Sequence, residues 1–249
     1  MQLTIHFHAP GPVAVPVHYG TLLQGLIYHQ MQNPALRSYL HEHGFVLEKR
    51  RFKLFTFSRL MGRAVRYDRD SGRLIYTPPL KLVICSPIPF ILQELGTGFL
   101  RQGRIRLGEV QLEVQEMSGA SPRVQTKTVR VRMLSPVVVY STMETGDGRP
   151  YTYYYTPFEP RFAGLIGANL AKKHLLIHGR PASPEGFSIE PTVVAEKDLK
   201  ITRYKDFIIK GWMGDYLLKG DAELLQVALD AGLGAKNSQG YGCCMLLEE

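Results

Sequence analysis

The sequence predicts an α+β protein made of two successive βαββαβ halves. Two observations point there. Stretches that alternate like strands and stretches with helical periodicity follow one another in a similar order in both halves of the 249 residues. A short run of small residues and proline, Gly119 to Pro122, reads as a linker between residues 1–118 and residues 123–249.

In the first half, residues 2–8 alternate as a strand and residues 20–32 read as a helix. Asn33-Pro34 suits an N-cap followed by a first helical position, and Gly44 suits the stop of that short second helix. Residues 45–58 and 73–77 read as strands. Pro87 and Pro89 precede a helix at about 89–101, and residues 104–117 alternate as one long strand. In the second half, strands fit 126–134 and 137–142, with a turn at Gly146-Asp-Gly148. A helix fits 158–176 and strands fit 186–196 and 199–205. Asp221 is a good N-cap for a helix at 222–231, and a last strand fits 241–247. Two such halves suggest tandem ferredoxin-like domains.

Composition narrows the function. Lys and Arg number 30 against 22 Asp and Glu, a formal charge of +8, which favours polyanion partners. Cys85, Cys243 and Cys244 form no disulfide framework, and adjacent Cys243 and Cys244 point to opposite faces of a strand, a poor arrangement for a shared metal. The N-terminus alternates and lacks the apolar run of a signal peptide, and no apolar stretch approaches the ~20 residues of a membrane span. A cytoplasmic protein with reduced thiols and no membrane contact is expected.

The densest motif is Gly232-Leu-Gly-Ala-Lys-Asn-Ser-Gln-Gly-Tyr-Gly242, between the last helix and the last strand. Glycine there opens conformations closed to other residues and allows close backbone approach. The loop is no NTPase phosphate loop, since Lys236 lies inside it and a helix precedes it while a strand follows. A dinucleotide fingerprint fails on the same order. Lys236, Asn237 and Ser238 can donate hydrogen bonds to a polyanion, and Asn237 can equally cap the turn.

This G-x-G-x5-G-x-G pattern, with Gly232, Gly234, Gly240 and Gly242 around Lys-Asn-Ser, resembles that of the CRISPR repeat-processing endoribonucleases of the RAMP superfamily. Pro16, Tyr19, Leu23-Gln-Gly-Leu-Ile-Tyr28, Asn33-Pro34, Tyr39-Leu-His-Glu42 and Lys53-Leu-Phe-Thr-Phe-Ser58 resemble the same family's N-terminal segment, in the same order. The resemblance implies the tandem ferredoxin-like fold, binding of CRISPR repeat RNA, and no cofactor or metal. It places His41 at the family's catalytic histidine and Lys53 at a lysine that is catalytic in some relatives. Because that interval varies among relatives, Lys49 or an arginine of Glu48-Lys-Arg-Arg51 is an alternative cation.

Periodicity offers its own view of these positions. On the helix at 20–32, Leu22, Leu23, Leu26, Ile27 and Gln30 share one face, and Tyr28 points almost opposite, which predicts an exposed phenol. Gly25, one turn earlier near that side, suggests close approach by another backbone. On the short helix, Leu36, Tyr39 and Leu40 define the buried stripe; His41 falls outside it, and His43 beside it at the C-terminus reads as structural. Lys53 should face opposite Phe52 and Leu54 on a strand.

Together His41, Tyr28 and Lys53 suit RNA cleavage by its own 2′-hydroxyl, giving a 2′,3′-cyclic phosphate and a 5′-hydroxyl. Imidazole exchanges protons at roughly neutral pH, an ammonium stabilises phosphorane charge, and a phenol, with a pKa of about 10, is better at orienting than deprotonating. No carboxylate cluster for paired magnesium ions is evident; Asp68 and Asp70 sit beside Arg66 and Arg69.

RNA contacts are expected from the loop and from Lys49, Arg51, and the strand face of Thr128, Arg130 and Arg132. Arg101, Arg104 and Arg106 either add to that field or serve solubility. Tyr151, Tyr153, Tyr154 and Tyr155 are expected mostly in packing rather than base stacking. The competing reading is a catalytically silent RAMP protein that grips guide RNA in an effector complex, which has no need of His41. Other effector subunits and a homodimer are possible partners.

Overall fold

The computed structural model describes residues 1–144, 146–204 and 207–247. β1 (Gln2–His8) leads through β2 (Val13–Pro16) to α1 (Gly20–Gln30), which buries Leu23, Leu26 and Ile27. Asn33 caps α2 (Pro34–Ser38) by accepting from the amides of Ala35 and Leu36, and Pro34 takes the first turn. α2 continues into a π-helical turn, Tyr39–His43, which Gly44 ends at φ +70°. Then follow β3 (Phe45–Leu47), β4 (Arg50–Phe52), β5 (Thr56–Phe57), β6 (Met61–Asp68), β7 (Arg73–Cys85), α3 (Pro89–Gln102), β8 (Arg104–Leu107) and β9 (Val110–Ala120).

The second half comprises β10 (Thr128–Met133), β11 (Tyr140–Glu144), β12 (Pro150–Tyr154), α4 (Pro160–His178), β13 (Ser188–Val193), β14 (Leu199–Tyr204), β15 (Phe207–Trp212), β16 (Asp215–Lys219), α5 (Ala222–Ala231) and β17 (Cys244–Leu246).

The two halves share one antiparallel strand order. In the first, β9 and β7 flank β1, and β5 and β6 pair with the far side of β7. In the second, β17 and β16 flank β10, and β13 lies beyond β16. Numbered within each βαββαβ unit, both sheets run 4-1-3-2, consistent with ferredoxin-like halves. Each half has its own apolar core. Ile5, Phe7, Ile27, Leu80 and Phe99 centre the first, and Val131, Ile166, Leu170, Tyr216 and Leu225 the second.

The details depart from the sequence reading in four places. The expected strand at 45–58 is a short β3–β4 hairpin, a break, and then β5. The break falls at Leu54, whose φ is +52°. Leu54 packs into the second core while Phe55 packs into the first, so alternation is spent on joining two cores rather than on one sheet face. The expected strand at 104–117 is folded back on itself at Gly108, φ +61°, into β8 and β9. β7 is far longer than 73–77. The strands β2, β6, β12, β15 and β16 were not anticipated.

Candidate active site

Three side chains converge where α1, the π-helical turn and the β4–β5 break meet. Tyr28 and His41 pack edge to face, ring centroids 5.4 Å apart at 84°. Phe55 packs edge-on against the other side of Tyr28 at 5.8 Å. Lys53 donates from Nζ to the main-chain carbonyl of His41 at 3.0 Å. Gly44 makes that approach possible: a Cβ there would stand 2.8 Å from Lys53 Cδ and 2.5 Å from the carbonyl oxygen of Phe52.

His41 is exposed, as its off-stripe position predicts. Tyr28 is not: it is 8 % exposed, and its hydroxyl donates to the carbonyl of Leu40 at 3.4 Å. The helix-face reading fails because the π-helical turn and Phe55 cover the side of α1 that carries Tyr28. Burial holds the phenol pKa well above its ordinary value. His43 is also exposed, at the end of the π-helical turn, with the Glu42 carboxylate 3.8 Å away. Lys53 stands outside any strand and half-buried; burial, then Arg51, lowers its pKa. Arg51 donates to the carbonyl of Glu42 at 2.9 Å and so clamps the hairpin on the π-helical turn. Lys49 is exposed at the hairpin's turn.

A cleft of about 750 Å³ opens beside this group. Arg50, Arg51 and Lys53 line one wall, and Gly234, Lys236 and Ser238 line another. Lys53 links the triad to the cleft; His41 and Tyr28 do not line it.

The glycine loop is more tightly built than a flexible phosphate grip would be. Gly232, Gly234, Gly240 and Gly242 all have positive φ, from +65° to +88°. A Cβ on Gly242 would lie 2.0 Å from the carbonyl oxygen of Leu233, and one on Gly234 2.4 Å from that of Val138. These glycines thus serve close backbone packing in the first place. The Asn237 side chain is spent internally, donating to the carbonyls of Leu233 and Tyr241 at 3.0 and 3.1 Å. Of the two roles open to Asn237, its amide is thus engaged in holding the turn rather than free for RNA. Lys236 and Ser238 remain on the cleft wall. The ammonium of Lys236 sits 5.2 Å above the Tyr140 ring, and burial lowers its pKa. Gln24 of α1 donates to the carbonyl of Ser238 at 2.8 Å and accepts from the Tyr204 hydroxyl at 2.5 Å, tying the loop to the first half.

The periodicity reading passed over Lys173. It is buried on α4 and donates to the carbonyls of Gly232 and Gly234 and to Asn237 Oδ1 at 2.6, 3.2 and 2.8 Å. Its signal was present: Ile166, Leu170 and Lys173 recur at helical spacing, so a lysine occupies an apolar stripe.

The other predicted contacts divide. Thr128, Arg130 and Arg132 share the exposed face of β10, yet Arg132 is committed to a bidentate pair with Asp215, both contacts at 2.7 Å. Only Arg130 and Thr128 are presented there without that constraint. Arg104 pairs with Glu113 at 4.0 Å. Tyr153 donates to Glu159, Tyr154 donates to the carbonyl of Ile208, and Tyr155 is buried against Tyr153, so packing prevails among the tyrosines. Among the described residues no helix is long and apolar enough to cross a membrane, and no group of three or more His, Cys, Asp or Glu is placed to hold a metal ion.

Comparison with known proteins agrees with this architecture. The family described as "CRISPR associated protein Cas6, C-terminal" matches residues 120–246, and "CRISPR-associated protein Cas6, N-terminal" matches residues 14–118. The "CRISPR-associated endoribonuclease Cas6 1" of Methanocaldococcus jannaschii is 25% identical over 256 residues, covering 100% of this chain and 94% of the relative. The "CRISPR-associated endoribonuclease Cas6" of Pyrococcus furiosus is 26% identical over 231 residues, covering 92% and 82%. A solved structure titled "CRISPR associated protein Cas6" superposes with a TM-score of 0.80 at 25% identity, over 100% of this chain and 99% of that one. With both halves matched in order and over nearly their whole length, the chain belongs to the Cas6 family.

Proposed function

We propose that this protein is an endoribonuclease that binds precursor CRISPR RNA and cuts it within the repeat, without a metal ion. The observation that carries the reading is the exposed imidazole of His41, held edge-on by Tyr28, with the Lys53 ammonium on the carbonyl of the same residue. A protein that only gripped guide RNA would have no use for that grouping. Relatives named as endoribonucleases support the same class of activity.

The chemistry follows from the groups present. The 2′-hydroxyl loses its proton as its oxygen bonds to phosphorus, and the bond from phosphorus to the 5′-oxygen breaks as that oxygen gains a proton. His41 is the group able to exchange protons at neutral pH. Lys53 stabilises the extra negative charge of the phosphorane. Its partly buried position makes that charge count for more than it would in open water. The raised pKa of Tyr28 keeps its phenol protonated, so it orients the His41 ring rather than acting as a base. Arg50, Arg51 and Lys236 give the cleft the positive field that draws in the phosphate backbone.

The test is to incubate the protein with its repeat RNA in excess EDTA and to identify the fragment ends. A 2′,3′-cyclic phosphate and a 5′-hydroxyl are expected. Loss of cleavage in EDTA, or a 3′-hydroxyl with a 5′-phosphate, overturns the mechanism.

A further inference from the structure

Lys173 is 2 % exposed and among the described residues forms no ion pair. Its Nζ stands within hydrogen-bonding distance of three neutral acceptors, the carbonyls of Gly232 and Gly234 and Asn237 Oδ1. A buried cation without a counter-charge is expensive, and an apolar residue would complete the stripe of Phe162, Ile166 and Leu170 without that cost. What the amino group adds is its hold on the loop.

That hold reaches both arms of the loop. Lys173 fixes Gly232 and Gly234 directly. Through Oδ1 it also orients Asn237, whose Nδ2 donates to Leu233 on one arm and Tyr241 on the other. Between these anchors the chain runs along the cleft wall through Lys236, φ +61°, and Ser238, opposite the basic hairpin.

We propose that Lys173 is a positioning residue for RNA binding: with Asn237 it holds the glycine loop in the shape that presents Lys236 and Ser238 to the phosphate backbone. The inference rests on the RNA-binding reading above. It assigns part of the loop's affinity to a buried group at the base of the cleft, acting through the loop it holds.

The test uses repeat RNA with a 2′-deoxy substitution at the mapped cut, so that binding is measured without cleavage, and unmodified RNA for single-turnover rates. The wild type is measured first; if it neither binds nor cuts the repeat, the functional reading itself has failed. With an active wild type, Lys173→Met is expected to weaken binding by about tenfold or more, as hydrogen bonds ordering the loop are lost. Its rate at saturating RNA should stay within about threefold of wild type, because the triad is untouched. Hydrogen exchange should quicken in residues 232–242 and not in β7. Asn237→Ala keeps the lysine and should act in the same direction, and the double variant should be no worse than the worse single, since both break one network. Should Lys173→Met not fold, Asn237→Ala and Lys173→Gln carry the test. Affinity within about twofold of wild type in a folded variant overturns the proposal. So does faster exchange spread evenly over the second half, which would mark the lysine as merely structural.

Discussion

The Lys53 ammonium donates to the main-chain carbonyl of His41 at 3.0 Å, so the two groups are joined through backbone rather than through the imidazole. Gly44 leaves the space for the lysine stem, and the left-handed turn at Leu54 breaks the strand beside it. The position of the cation is therefore independent of the histidine side chain. Each can be removed without displacing the other, which makes their separate contributions measurable.

His41→Ala should slow single-turnover cleavage by ~10² to 10⁴-fold while leaving affinity for repeat RNA nearly unchanged. Lys53 still has its carbonyl acceptor in this variant, so the loss reports proton transfer alone. Full activity at saturating RNA would remove His41 from the mechanism.

Lys53→Ala and Lys49→Ala distinguish the two candidate cations. Lys49 lies exposed on the hairpin turn, whereas Lys53 is half-buried against the His41 carbonyl. Removal of Lys53 should cost ~10²-fold or more in the cleavage rate. Removal of Lys49 should instead weaken binding several-fold, with a shallower dependence on salt. The reverse pattern of rates would assign catalysis to the hairpin turn.

Gly242→Ala should act on stability before it acts on RNA. Its Cβ would stand 2.0 Å from the carbonyl oxygen of Leu233, a contact that only backbone movement relieves. A loss of roughly 2–4 kcal/mol is expected, read as a lower urea midpoint. An unchanged midpoint with weakened RNA binding would return the glycines to a direct role at the phosphates.

Lys173 gives the protein a pH dependence of predictable sign. Burial pushes its pKa down to about 7, with the Cys244 thiol as its titratable neighbour, while an unfolded lysine titrates near ~10.4. Between those values the unfolded chain binds the extra proton, so this group's contribution to stability rises with pH from about 7 towards ~10 and is lost as pH falls. The wild type should gain on Lys173→Met in urea midpoint between roughly pH 7 and 9. A flat difference would show that the buried ammonium keeps its proton over that range.

Much of this protein was determined by sequence alone, wherever the cause was local. Asn33 and Pro34 start α2, Asp221 starts α5, and Gly44 stops the π-helical turn, because caps, proline and positive φ act through adjacent residues. The off-stripe place of His41 was legible in the same way, as was the tandem order of the two halves. What only the tertiary structure decided were contacts between segments far apart in the chain. Tyr28 is buried because a later turn and Phe55 cover it. Leu54 and Phe55 point into different cores because the chain there passes between two sheets. Arg132 is spent on Asp215, and Lys173 on a loop some sixty residues onward. Periodicity ranks the faces of one helix or strand. It carries no information about which distant element will pack on a face, and burial, pairing and pKa are set by that element.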